Sequence, residues 1–148
     1  MNAAFHDTDA MKIIAANATP VDDQTKTLQI ANDAELAELA ASGALQGVER
    51  IELSFPKFTD GRAFSQAVLL RRRFGFGGDI RATGDVLIDQ LVQMARSGFT
   101  SAVLAEGVSA DAAERQFARY HGFYQGDALQ PRPHFARDAA RDTAREAA

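Results

Sequence analysis

The chain has no cysteine among its 148 residues, and that gap removes disulfides, thiolate zinc sites, iron-sulfur ligation and thiol redox chemistry together. Any electron-transfer role must use a borrowed cofactor; none is evident in the chain, and no residue pattern decides whether a flavin or nicotinamide is ever bound. Long apolar runs are missing too, since no stretch approaches the roughly 20 consecutive apolar residues of a membrane helix. No membrane partner is expected. Cationic excess is lacking: 16 Lys and Arg stand against 20 Asp and Glu, a formal net charge of -4, which argues against a surface devoted to nucleic acid. The 3 histidines, His6, His121 and His134, show no metal-ligand spacing, so no metal site is predicted. No serine stands in a nucleophile elbow. Residues 1–20 carry neither a basic leader nor an apolar run ending in a cleavage site, so a cytoplasmic location is expected.

What remains is the composition of a soluble globular chain, 46% apolar and 24% charged, of a size that builds one core. The pattern divides it into a flexible segment over 1–26, a single α/β domain over 27–128, and a C-terminal loop and tail over 129–148. Residues 1–25 show no sustained periodicity and are expected to be disordered or loosely attached, the short apolar run 11–16 notwithstanding. From Thr27 onward a grammar repeats: a short apolar segment, a capping residue, an amphipathic helix, a glycine.

Four such units can be read. The first has a strand over 27–31 and a helix opening at Asn32, with Glu35 placed as in a capping box and Gly43 ending it. The second has a strand over 50–55 in which Ile51, Leu53 and Phe55 alternate, then a helix over 62–73 whose last turn carries Arg71, Arg72 and Arg73 at the negative end of its dipole. The third has a strand over 79–83, Asp85 as N-cap and Gly98 as stop. The fourth has a strand over 100–105 and a helix from Ser109 through Tyr120; Phe123 and Tyr124 offer a last extended piece. Such units predict a mainly parallel sheet of about four strands, as an open sheet or a half-barrel. The tail over 136–148 sets Arg137, Arg141 and Arg145 on one helical stripe and Asp138, Asp142 and Glu146 on the next, the pattern of a solvated helix.

In parallel α/β proteins ligands collect beyond the carboxyl ends of the strands. Two polar loops follow predicted strands there: Lys57, Phe58, Thr59, Asp60, Gly61, Arg62, and Arg81, Ala82, Thr83, Gly84, Asp85. If their strands are neighbours the loops face one another. They then offer Lys57, Arg62 and Arg81 as cations, Ser65 as a hydroxyl, and Gly61 and Gly84 as points of close backbone approach, a set suited to a small anion. Asp60 and Asp85 are the acid/base candidates. The same charges also have a purely structural reading, in which each Asp caps its helix and pairs with the nearby arginine. Asp89 and Gln90, one turn inside the third helix, either brace these loops or face solvent. The run Phe74, Gly75, Phe76, Gly77, Gly78 resembles a phosphate loop but precedes a strand, so it reads as a helix-to-strand turn.

Two longer strings carry a family resemblance. Leu53-Ser-Phe-Pro-Lys-Phe-Thr-Asp-Gly-Arg62, with Ser65-Gln-Ala67 and Leu70-Arg71, is followed by Ile80-Arg-Ala-Thr-Gly-Asp-Val-Leu87, Asp89-Gln-Leu91 and Met94-Ala-Arg-Ser-Gly-Phe99. In that order and separation they resemble the bacterial domain of unknown function 934, with a weaker fit from Ala34 through Tyr124. The family often has Gly-Tyr before the serine, where this chain has Ala63-Phe64. Its members are described as a probable oxidoreductase or accessory protein of assimilatory sulfite reduction. The resemblance therefore implies linkage to sulfur assimilation, with sulfite reductase or other sulfate-assimilation proteins as partners. With no thiolates and no dinucleotide loop, an accessory or small-anion-binding role fits the residues better than a self-contained redox enzyme.

Overall fold

A computed structural model describes residues 11–18, 23–120, 122–133 and 135–136. Strands β1 (Lys12–Ile14), β2 (Thr27–Ile30), β3 (Arg50–Phe55), β4 (Asp79–Gly84) and β5 (Ser101–Val103) alternate, from β2 onward, with helices α1 (Leu36–Ala41), α2 (Arg62–Arg72), α3 (Leu91–Ser97) and α4 (Ala110–Phe117). A 3-10 turn over Ile88–Gln90 leads into α3. The strands form one sheet in the order β1-β5-β4-β3-β2, and every neighbouring pair is parallel.

The path from β2 through β5 steps in one direction, so right-handed crossovers place α1, α2 and α3 on the same face of the sheet. The strands are written for that arrangement. In β3, Ile51, Leu53 and Phe55 are fully buried while Arg50, Glu52 and Ser54 alternate with them; β4 repeats the pattern with Ile80 and Ala82 against Asp79, Arg81 and Thr83. Parallel strands covered on both faces read as continuous apolar runs. These alternate because helices cover one face only. On that face the strand residues meet Ala67, Leu70, Leu91 and Met94 in one core. Phe55 is its aromatic centre, 5.2 Å from Phe64 and 5.7 Å from Phe99 between ring centroids, separations suited to edge and tilted packing.

Several expectations are corrected. The parallel sheet of about four strands is present with five, and one of them comes from the segment expected to be loosely attached. Lys12 N–H donates to Thr100 O at 3.0 Å, Leu104 N–H donates to Ile14 O at 2.9 Å, and Met11 is 5% exposed. Three residues are too few to display a period; the open edge of β5 supplies the missing information. Residues 1–10 and 19–22 of that segment lie outside the described residues. The place of β1, beside β5, gives an open sheet and departs from the consecutive order of a half-barrel.

The first helix starts at Leu36, four residues later than expected, with Glu35 at its N-cap and no capping side chain, while the Asn32 amide donates across the rim to Asp60 Oδ2 at 2.7 Å. Asp85 caps no helix, since its carboxylate holds a neighbouring loop. Residues 123–124 form no strand, and the tail beyond Ala136 lies outside the described residues. Gly98, with φ of 115°, does end α3, and Ser109 Oγ accepts from Ala112 N–H at 3.4 Å.

The 74–78 run is a helix-to-strand turn, and Arg71 closes it. Its Nη1 donates to Phe76 O at 2.9 Å and Gly78 O at 2.7 Å, while Nε donates to Gly98 O at 2.9 Å. Burial lowers the Arg71 pKa to about 10, against the opposing pull of Asp79, so the group stays protonated at neutral pH.

Gly84 has φ of +89°, and a Cβ there would press on the Phe55 carbonyl; Gly75 has φ of +65° but open space around it. Gly84→Ala is therefore expected to cost about 3 kcal/mol, from left-handed strain and displacement of β3 together. Gly75→Ala, with the strain alone, should cost about 1 kcal/mol. Urea midpoints of the two variants check the difference.

Candidate functional site

Phe55 and Gly84 are register partners at the ends of β3 and β4, so the 56–61 and 85–87 loops emerge side by side at the carboxyl rim. They are bonded together. Asp85 N–H donates to Phe55 O at 2.8 Å, Asp85 Oδ2 accepts from Phe58 N–H at 2.8 Å, and Gln90 Nε2 donates to Phe58 O at 3.0 Å. Both backbone groups of Phe58 are thus held from inside. Gln90 braces the loop, whereas Asp89 is exposed to solvent.

Asp60 is closed in the same way. Its carboxylate accepts from Arg62 Nε at 3.0 Å, Arg62 Nη2 at 2.8 Å and Arg62 N–H at 3.3 Å, besides the Asn32 amide. The side-chain bonds from Arg62 lower its pKa to about 2, against a smaller opposing desolvation. Arg62 is 60% exposed, yet its fork faces Asp60 bidentately, which leaves little of it for an external anion. Gly61 is the N-cap of α2, and Ser65 is exposed on the first turns of that helix. Lys57 is exposed, and its ammonium has no partner among the described residues. Beside it the Phe58 ring is 48% exposed.

Arg81 does not join this rim. It lies three residues before Gly84, roughly 10 Å back along the strand at ~3.3 Å per residue, with its side chain on the face opposite the helices. There Nε donates to Ser101 Oγ at 3.0 Å and Nη2 lies 3.4 Å from Asp79 Oδ2. The structure therefore brings together Lys57, Asp60, Gly61, Arg62, Gly84, Asp85 and Gln90, and separates Arg81 from them.

Arg81 belongs to a second cluster that sequence reasoning missed. Asp79 Oδ1 accepts from Thr100 Oγ1 at 2.6 Å and Ser101 Oγ at 2.8 Å, and its Oδ2 accepts from Arg50 Nε at 3.0 Å. Arg50 Nη2 also reaches Asp23 Oδ2 at 2.7 Å, which holds the Arg50 pKa above its ordinary value against desolvation. Burial pulls the Asp79 pKa up, but hydrogen bonds from Thr100, Ser101 and Arg50, with the charge of Arg81, outweigh it and leave it lowered. The signal was present as charges two apart, Arg50 with Glu52 and Asp79 with Arg81. Only strand register shows that Arg50 lies opposite Asp79 and Glu52 opposite Arg81.

Chemically, both oxygens of Asp60 are engaged by Arg62 and Asn32, whereas Asp85 commits only Oδ2, to the Phe58 N–H. The rim instead offers a backbone-anchored loop with a protruding aromatic ring and an unpaired ammonium. The chain belongs to the family domain of unknown function 934, a bacterial protein of unknown function, whose model matches residues 27–135. The match takes in the rim and the Asp79 cluster and leaves β1 outside. Neither curated proteins nor solved structures gave a significant match.

The folded-state pKa values of Asp60 and Asp79 both lie below the ordinary value of 3.8. Their stabilisation is therefore complete above about pH 4 and fades as the pH falls through the folded-state values. Asp79→Asn should lose about 2 kcal/mol at pH 7, by leaving two arginines underpaired on a partly solvated face. It should also flatten the fall in stability as the pH drops below about 4. Urea unfolding across that range, wild type beside variant, reads both effects.

Proposed function

We propose that the chain is a non-catalytic accessory protein of assimilatory sulfite reduction that works in the cytoplasm by docking to sulfite reductase or another protein of sulfate assimilation. The observation that carries the docking part is the anchored 56–60 loop. Phe58 has its N–H held by Asp85 and its carbonyl by Gln90, so the exposed ring and the neighbouring Lys57 are presented on a backbone already ordered. A preorganised aromatic contact loses little entropy on binding. The pathway part rests on the motif strings around Asp60 to Arg62 and Ile80 to Leu87, through the family's association with sulfite reduction.

An enzyme at the same rim has less support, because Asp60 is fully engaged and Asp85 already serves to hold the Phe58 backbone. A small anion clasped between Arg62 and Arg81 has less still, since the two guanidiniums are on different parts of the sheet.

Deletion of the gene should slow growth on sulfate and leave growth on sulfide unchanged. Wild-type protein should restore growth and co-purify with sulfite reductase, whereas a Lys57→Glu/Phe58→Ala double variant, expected to keep the wild-type unfolding midpoint, should do neither. Normal growth on sulfate without the gene would refute the pathway. Full rescue by the double variant would refute the loop, and sulfite turnover by the purified chain would refute the non-catalytic assignment.

A further inference from the structure

The outer side of α4 carries a second surface that nothing in the rim accounts for. Between the Ile88–Gln90 turn and α4 lies a shallow hollow of about 450 Å³, lined by Ile88, Ala112, Arg115, Gln116, Ala118 and Arg119. Its floor is made of small and aliphatic groups. Ala112, Arg115 and Gln116 lie on α4, and Arg119 follows in the turn just past its end, where its N–H donates to Gln116 O at 3.4 Å, so both arginines border the hollow.

Both arginines are exposed and neither guanidinium has an ion pair or hydrogen bond among the described residues. Asp111, one turn before Arg115, makes no ion pair with it, although the spacing permits one. Arg115 in the last turn complements the helix dipole, which is worth a few tenths of a kcal/mol at an exposed site and leaves both forks open. Immediately beyond, Tyr120 is 66% and Tyr124 74% exposed, the two most exposed of the large apolar side chains described. Exposed tyrosine next in sequence to an unpaired arginine is the composition of interface hot spots. Asp111 and Glu114 are also exposed on α4 but do not line the hollow, so the two unpaired guanidiniums at its edge favour a partner of the opposite sign.

We propose that this face of α4 is a docking groove for an acidic, amphipathic segment of a partner protein. Carboxylates one helical turn apart would meet the Arg115 and Arg119 forks, and the segment's aliphatic stripe would lie over Ala112, Ala118 and Ile88 with Tyr120 closing one end. The groove is separate from the Phe58 loop, and its ligand chemistry does not depend on sulfite reductase being the partner.

The test uses the full chain and, as probe, a synthetic helical peptide with glutamates at i and i+4 beside a leucine stripe, together with a matched peptide carrying lysines. Amide shifts in a nuclear magnetic resonance titration should cluster on Ile88 and on residues 112–120, and binding should weaken as salt is added. The double variant Arg115→Glu/Arg119→Glu should bind at least about tenfold more weakly while keeping the wild-type thermal midpoint. The lysine peptide should not bind. The proposal is overturned if the acidic peptide fails to saturate, if its shifts fall elsewhere, or if the double variant or the lysine peptide binds as the wild-type pair does. Tyr120→Ala, which leaves all charges in place, separates apolar closure from charge: it should weaken binding without changing the salt dependence.

Discussion

Covering a parallel sheet on one face leaves the other face with a problem of polarity, and Asp79 is where this chain solves it. Its carboxylate lies at the start of β4 and receives bonds from Arg50 on β3 and from Thr100 and Ser101 at β5, with Arg81 of its own strand alongside. Three strands are thereby tied at the level where β4 enters the sheet. A charge so placed is costly unless every partner is present. Arg50 and Arg81 are correspondingly among the least exposed arginines, with side chains 13% and 14% exposed. The apolar rows on the helical side can pack only if the polar rows behind them stay in register.

The two ends of the sheet are secured by different means. At the amino end Arg71 bonds to three carbonyls from two turns and so sets the approach of α2 to β4 and of α3 to β5. At the carboxyl end Asp85 and Gln90 hold the backbone of Phe58, and Asp60 holds Arg62 and Asn32. Most of the polar groups that looked available for chemistry are absorbed in this way. What is left over, the Lys57 ammonium and the Phe58 ring at the rim and the guanidiniums of Arg115 and Arg119 at the end of α4, has no ion pair or side-chain hydrogen bond among the described residues. Surfaces of that kind, carried on an immobilised framework, suit recognition better than turnover.

Much of this architecture was legible before any coordinates. The alternation of Ile51, Leu53 and Phe55, the glycine stop at Gly98 and the serine cap at Ser109 each depend on a residue and its near neighbours, and each was recovered in place. The adjacency of the 56–61 and 85–87 loops followed from neighbouring strands. Asn32 and Asp85 misled because a carboxylate or amide at a cap position has the same local appearance whether it bonds its own helix or a loop across the rim. Met11 to Ile14 misled for a related reason: three residues contain no period, and their partner lies nearly ninety positions away.

The order of residues along the chain was sufficient to determine the α/β class, the βα grammar and the exclusion of thiol chemistry, because these follow from composition and short-range spacing. Tertiary structure alone decided that β1 joins the sheet beside β5, that Arg81 pairs with Asp79 behind the core instead of with the rim loops, and that Asp60 and Asp85 are bonded internally. Those outcomes turn on which strands lie side by side and in which register. A one-residue change of register exchanges the two faces of a strand, so the destination of a charged side chain is settled only when its neighbours are known.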